Sequence, residues 1–404
     1  MNSTILIFTD RFPYGRSESF FEEEIKYICN SFPTVIIMPF ERGTIPEIRS
    51  LPQNAIVLNP PYNNSKSKAE IIIKGIFNSS QLIPFIREGF SCGAWKSAKR
   101  LKIWFTHLFV TRKLISLIRN KELTKLLSDA DIAYFYWGLR WSQIIPFLPV
   151  GLSPQIAVRF HGSDLYEHLN SGYIPWRKQQ INRINSCITV SEAGKNYLLT
   201  RYGIPPEKIF LSRIGTPDCG INPYEKSDVV RIVSCSNIVP VKRVELIAIA
   251  LKNLNIKIEW IHFGEGPLKK KVINEASGLP ANISWRLAGE LKHDELYNFY
   301  RNVSIDLFIN VSSSEGVPVS VMEALSFGIP VIATDAGGTS EIVSEKCGKI
   351  IPVNFQPEFL AETIKTLIKS DNYMALRKGA RQVWEEKCRE DKVYPEFIEH
   401  LKKL

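Results

Sequence analysis

The 404-residue sequence lacks any run of the roughly 20 apolar residues that a membrane-spanning helix needs. Its most apolar stretch, Ile144 to Phe160, is cut by Pro146, Pro149 and Pro154. The N-terminal run Ile5-Leu6-Ile7-Phe8 ends at Asp10-Arg11, too short for a signal peptide, and reads as a buried first strand. Cysteine pairing is missing as well. The seven cysteines (Cys29, Cys92, Cys187, Cys219, Cys235, Cys347, Cys388) are odd in number and scattered, with no C-x-x-C and no His at zinc-ligand spacing. Reduced thiols in a cytosolic protein are expected. No G-x-x-x-x-G-K-S/T loop occurs, which excludes a P-loop NTPase. Nothing repeats at a solenoid period, and 45% hydrophobic content excludes a disordered chain. A soluble or peripheral protein of two or three domains is left.

The charge has a location. Lys plus Arg is 51 against 41 acidic residues, net +10. Residues 66–125 hold thirteen basic residues against Glu70, Glu88 and Glu122, so this segment matches the whole excess. It also carries Phe77, Phe85, Phe90, Trp95, Trp104, Phe105 and Phe109. Such interleaving fits an anionic membrane surface better than nucleic acid; solvated helix faces over core aromatics are the plain alternative.

Short β-branched runs alternate with amphipathic segments. Strands are predicted at 4–9, 34–38, 55–58, 132–136, 156–160, 187–190, 209–211, 231–235, 257–263, 283–285, 305–310, 330–333 and 349–351. Helical patterns lie between them, among them 19–29, 193–202, 245–253, 268–276, 294–302 and 318–327. Alternation predicts α/β architecture with doubly wound parallel sheets, and so many strands predict two of them. Turn chemistry without periodicity at Ile214–Pro223 places a domain boundary near 215–229. Ligands of such sheets bind beyond the strands' carboxyl ends, so two facing domains imply a cleft there.

The richest segment runs from Ile305 to Pro330. A predicted strand opens into Ser312-Ser313-Ser314, then Glu315-Gly316-Val317-Pro318 and a helix ended by Gly328. Pro318 fits the first helical position, leaving the N–H groups of Val319, Ser320 and Val321 as an anion site for phosphate. Glu315 and Glu323 flank that site, where they suit a sugar and ribose hydroxyls; a dipole partner and an exposed charge are the bland alternatives. Asp129-Ala-Asp131 looks like a metal-binding pair, but it precedes a strand and lies at the wrong end for the cleft.

Glu315 and Glu323 also stand in the E-x7-E spacing, and Glu315-Gly-Val-Pro-Val-Ser-Val-Met-Glu323 through Ala336-Gly-Gly-Thr-Ser-Glu341 resembles the signature of retaining GT-B glycosyltransferases of family 4 (group 1), of the bacterial polysaccharide and lipopolysaccharide type. The resemblance spans nearly the whole chain, strongest from Ser191 and weakest over residues 40–130. It implies two Rossmann-like domains facing a cleft: 1–215 for the acceptor, with a C-terminal helix at 386–404 crossing back, and 216–385 for the nucleotide-sugar. It implies no metal and no cofactor beyond the nucleotide diphosphate sugar as co-substrate.

By this resemblance Glu323 grips the ribose, Glu315 lies against the donor sugar, and Gly316, Val317, Pro318, Val319 and Ser320 approach sugar and phosphate. Arg159-Phe-His161-Gly162 is similar to the family's His-Gly loop, with His161 facing the sugar. Lys242 matches the family's diphosphate Lys. Asn237 stands where Arg is usual and Arg243 where Gly is usual, so Arg243 is a candidate substitute. His262-Phe-Gly264-Glu-Gly266-Pro267 resembles the Gly-x-Gly-Pro turn, and Leu287-Ala-Gly289 the loop beside the base. Asp10 to Glu22 resembles a Ser-Glu-Thr-Phe variant of the first loop, with Gly15 near the phosphates; Ser19 with Glu22 is also a plausible capping box.

The expected activity is transfer of a hexose to a lipid-linked or growing glycan in cell-surface polysaccharide synthesis. Glu315, His161, Lys242 and Arg243 are the expected catalytic residues. Residues 66–125 would dock the protein on the anionic inner leaflet of the plasma membrane, and no nucleic acid is expected. A nucleotide-sugar epimerase or hydrolase, and a non-catalytic basic membrane- or RNA-binding protein, are the competing readings.

Overall fold

A computed structural model describes residues 3–15, 17–43, 47–61, 82–119 and 121–404. Lys66, Lys68, Glu70, Lys74 and Phe77 of the basic segment lie outside the described residues. The chain divides into two compact units, residues 1–212 with 394–404, and 213–393.

The first unit holds β1 (Thr4–Thr9), β2 (Thr34–Pro39), β3 (Ala55–Val57), β4 (Ile132–Phe135), β5 (Gln155–Phe160), β6 (Ser186–Thr189) and β7 (Ile209–Leu211). They form one sheet in the order β3-β2-β1-β4-β5-β6-β7, every pair parallel. The second unit holds β8 (Val230–Cys235), β9 (Ile258–Phe263), β10 (Ile283–Gly289), β11 (Leu307–Asn310), β12 (Val331–Thr334) and β13 (Gly348–Ile351). Their order is β10-β9-β8-β11-β12-β13, again all parallel. Each strand order reverses once, between β1 and β4 and between β8 and β11, so each unit has a switch point where a crevice opens at the carboxyl ends.

Burial on both faces explains why strands read as continuous apolar runs. In β1, Leu6 and Phe8 enter one core cluster, whereas Ile5 and Ile7 enter the cluster on the opposite face. Phe397, Ile398 and Leu401 of the last helix complete the second of these cores. The division at Ser212/Arg213 precedes the turn-rich 214–223 because that segment already bonds within the second unit. Thr216 donates its N–H to the Cys388 carbonyl at 2.8 Å, and its hydroxyl accepts from Trp384 Nε1 at 2.7 Å.

The expected capping box at Ser19 and Glu22 does not form. The helix Phe21–Ser31 is capped at Phe20 with no side-chain hydrogen bond, and Glu22 instead pairs with Arg49 at 3.0 Å. Asp131 fixes the amino end of the sheet, accepting the Thr4 N–H at 2.8 Å. Among the described residues no helix is long and apolar enough to cross a membrane.

One buried charge pair ties the layers of the first unit. Arg159 on β5 and Glu24 on the first helix are both fully buried and meet at 3.0 Å. Tyr134 accepts from Arg159 Nε at 2.7 Å and donates to Glu24 at 2.7 Å, while Arg159 Nη1 reaches the Ser212 carbonyl at 2.9 Å. Removing one partner strands the other charge in the core. Arg159→Met should therefore cost about 3–5 kcal/mol in urea unfolding, and adding Glu24→Leu should recover most of the loss.

Candidate active site

The second unit builds its site from loops at the carboxyl ends of β8 to β11. The β8 and β9 loops are stitched together: Ser236 N donates to the Phe263 carbonyl at 2.9 Å and Ile238 N to Glu265 at 2.8 Å. A Cβ at Gly264, whose φ is +138°, would stand 1.9 Å from the Ser236 carbonyl oxygen, so the Gly-x-Gly-Pro turn is demanded by backbone contact. The β11 loop is pinned to the β8 loop through Ser313 N, which donates to the Val241 carbonyl at 2.7 Å.

That pinning brings Lys242 to Glu315. Lys242 Nζ meets Glu315 Oε1 at 2.6 Å, and Asn310 Nδ2 donates to the same oxygen at 3.3 Å. Gly338 N holds the Gly316 carbonyl at 2.7 Å from the far side of the loop. Gly337, at φ +59°, leaves no room for a Cβ, which would lie 1.9 Å from the Glu315 carbonyl oxygen. The amides of Gly316, Val317, Val319 and Ser320 donate to nothing among the described residues. A lysine beside several amides without acceptors at a helix start suits an anion, and this is the candidate anion site.

The helix begins one residue later than the sequence pattern predicts. Pro318 is the N-cap, with extended ψ of 114°, and Val319 opens the helix Val319–Ser326. Val321 is accordingly satisfied, donating to the Pro318 carbonyl at 3.1 Å. One turn on, Glu323 is buried; its Oε1 accepts from Tyr297 OH at 3.0 Å and lies 3.0 Å from His293 Nδ1. His293 and Tyr297 are four apart on the helix His293–Asn302, so they share a face. No local motif marked these two residues; their i, i+4 spacing was the available signal.

Arg243 does not join the anion site. Its guanidinium donates to the carbonyls of Val311 at 2.8 Å, Val353 at 2.8 Å and Ser312 at 3.3 Å. It braces the ends of β11 and β13, and the position vacated at Asn237 is not refilled by it. His262 is likewise structural, with burial pushing its pKa down to about 4 and its Nε2 at 3.1 Å from the Ser236 carbonyl. Gly289 accepts the Gly264 N–H at 2.8 Å, closing the β9–β10 edge.

In the first unit the β1 loop turns inward. Glu18 accepts the N–H groups of Asp10 at 3.0 Å, Arg11 at 2.6 Å and Phe12 at 2.6 Å, together with Trp137 Nε1 at 2.6 Å. Successive amides form an anion nest, and the protein's own carboxylate fills it. Gly15 is therefore no phosphate ligand through its amide, which donates to the Glu47 carbonyl at 3.0 Å. The sequence reading missed Glu18, whose partners are backbone groups and leave no residue pattern.

His161 ends β5 as expected. Its Nε2 lies 3.0 Å from the Tyr136 carbonyl, which can only accept, so the proton sits on Nε2. Trp137 packs on the ring at 4.3 Å between centroids. Asp164 accepts the His161 N–H and the Gly138 N–H, each at 2.6 Å, and burial pushes its pKa up to about 7. Burial, reinforced by the Arg159 charge, pushes His161 down to about 3, so the imidazole is neutral at physiological pH.

Residues 222–383 match the family model "Glycosyl transferases group 1". The match lies within the second unit, residues 213–393, and covers less than half of the chain. The chain is 26% identical over 257 residues to the putative colanic acid biosynthesis glycosyltransferase WcaL of Escherichia coli K12, covering 60% of this chain and 62% of that protein. It thus spans less than two thirds of that relative's length. Among solved structures it superposes on HepE of Anabaena, determined with UDP and glucose, at TM-score 0.65 and 14% identity, over 99% of this chain and 100% of that one. Sucrose-phosphate synthase of Thermosynechococcus elongatus gives TM-score 0.72 at 12% identity, over 99% and 98%. At these identities the structural likeness speaks for the fold, which is GT-B.

Gly337→Ala should destabilise the protein by at least about 2 kcal/mol in thermal melts, since a left-handed residue and a backbone clash both oppose the side chain. Neutral burial of His161 means that the unfolded chain takes up a proton near pH 6.5 and the folded chain does not. Stability should fall by about 2 kcal/mol between pH 6.5 and 5 from this residue, and urea melts of His161→Asn should lack that part of the slope.

Proposed function

We propose that the chain is a retaining glycosyltransferase that moves a hexose from a nucleoside diphosphate sugar to a lipid-linked or growing glycan in cell-surface polysaccharide synthesis. The observation that carries this reading is the set of undonated amides at Gly316, Val317, Val319 and Ser320 beside Lys242, inside the segment that matches the group 1 model. Its support for a polysaccharide role is the similarity to WcaL, a putative colanic acid biosynthesis glycosyltransferase.

In this reading the diphosphate lies on those amides and Lys242, which take up the charge that grows on it as the bond from C1 of the sugar to the phosphate oxygen breaks. A metal is not needed for that role. The acceptor hydroxyl forms the new bond to C1 on the same face and passes its proton to the departing phosphate oxygen. Glu323, pinned through one oxygen, keeps Oε2 for ribose hydroxyls. Glu315 orients the sugar, and neutral His161 offers a hydrogen-bonding nitrogen rather than a charge. The basic segment docks the protein on the anionic inner face of the plasma membrane, where lipid-linked acceptors reside.

A thermal-shift panel of nucleoside diphosphates and their sugars, without metal, tests the donor site. One base should stabilise the protein, by about 2.7 kcal/mol at 100 times its Kd, and Glu323→Ala should reduce the shift. A panel without any shift would remove the reading. Donor consumption that needs no acceptor would turn it towards a hydrolase.

A further inference from the structure

Residues 82–119 carry eight basic residues and a single acid, Glu88. That acid is buried, accepting from Tyr173 OH at 2.7 Å and from Trp176 N at 3.0 Å, so it does not offset the surface charge. The helix Ala98–Arg119 has no acidic residue at all. Arg87, Lys96, Lys99 and Lys102 are exposed here. Between them stand exposed aromatic rings, Phe90 at 69%, Trp95 at 44% and Phe105 at 42%. Phe90 and Trp95 lie 5.3 Å apart, and Trp95 leans on the buried Trp104 at 5.4 Å, so the exposed rings are anchored on a small core of their own. Exposed cations interleaved along the chain with anchored aromatics complement an anionic bilayer.

The same helix borders a cavity of about 210 Å³, closed on the other side by the segment 170–175. Arg100 fixes that segment, donating to the Ser171 and Gly172 carbonyls, each at 3.0 Å. Ile103, Leu139, Ile174 and Pro175 give the cavity apolar walls, and the exposed Lys102 and Thr106 mark its opening. His107 lines it too. This ring is 4% exposed, burial pushes its pKa down to about 3, and its Nε2 has no hydrogen-bond partner among the described residues. Gln143, Asn170 and Tyr173 add neutral polar groups to the walls, the charge among the described lining residues is at the rim, and two buried polar atoms, His107 Nε2 and Gln143 Oε1, have no partner among the described residues.

We propose that this notch seats one acyl chain of an anionic bilayer phospholipid, with the phosphate at Lys102. The inference rests on the reading that the basic aromatic face meets a membrane, and it adds a defined lipid site to that face. An amphiphile suits a cavity that sets apolar walls of Ile103, Leu139, Ile174 and Pro175 beside polar groups of His107 and Gln143. Lys102 at the rim sets the sign of the headgroup, and the linkage region of the lipid is the polar part able to reach His107.

The test uses the full-length protein with vesicles of phosphatidylcholine alone or mixed with phosphatidylglycerol bearing a diazirine near the end of one acyl chain. After illumination, adducts should map to peptides containing residues 102–107 and 173–175. Thr106→Trp, a substitution at an exposed rim position, should lower those adducts roughly tenfold, as loss of about two buried methylenes predicts, while vesicle co-sedimentation persists. Lys102→Ala should weaken co-sedimentation about fivefold, and added salt should shrink the difference. Adducts confined to Phe90, Trp95 and Phe105 would overturn the notch and leave the membrane face standing. Absence of co-sedimentation with anionic vesicles would overturn both. Notch adducts of equal yield from a diazirine-bearing phosphatidylcholine would overturn the headgroup assignment.

Discussion

A parallel sheet sends all its strand ends to one edge, and the amides in the loops beyond that edge need acceptors. The two units meet this demand in opposite ways. In the first, Glu18 takes the N–H groups of Asp10, Arg11 and Phe12, and Asp164 takes those of Gly138 and His161. In the second, the amides of Gly316, Val317, Val319 and Ser320 are left undonated beside Lys242. One crevice has been neutralised from within and the other left open to an anion. Under the proposed function, this division suits a transferase whose charged donor binds the open crevice. A nest already holding a carboxylate repels a further anion, which is consistent with the proposed donor site in the second unit.

Holding that open loop has structural requirements. The segment from Ser312 to Pro318 touches the β8 loop through Ser313, the β11 end through Asn310, and the Gly337-Gly338 turn through the carbonyls of Glu315 and Gly316. Arg243 serves the same frame by gathering three carbonyls. A guanidinium used in this way stiffens the loop and gives up phosphate binding. Lys242 is then the cation of this loop that remains at the site, which concentrates the electrostatic role in one side chain.

Much of the architecture was legible in the sequence because parallel strands buried on both faces are short, β-branched and bounded by turns. Each predicted strand from 4–9 to 349–351 has its counterpart within a few residues, although β10 runs on to Gly289 and β11 starts only at Leu307. The Glu315-to-Glu323 segment was legible for a different reason, since Gly, Pro and a terminating Gly at fixed offsets have local backbone meanings. What escaped were bonds made across sequence distance. Glu18 reaches Trp137, Arg243 reaches Val353, and Tyr297 reaches Glu323, and no spacing rule encodes such contacts. The first turn was also misjudged: Pro318 lies outside the helix as its N-cap, which removes Val321 from the anion site.

The central claim is that one end of the second unit's site reads a diphosphate and the other a ribose. Titration calorimetry with pyrophosphate, the nucleoside and the nucleoside diphosphate, on wild type, Lys242→Ala and Glu323→Ala, separates the two ends. The account predicts that Lys242→Ala weakens pyrophosphate and the nucleoside diphosphate by roughly tenfold or more and leaves the nucleoside unchanged, whereas Glu323→Ala weakens the nucleoside and the nucleoside diphosphate and leaves pyrophosphate unchanged. Equal binding of all three ligands by wild type and both variants would contradict it.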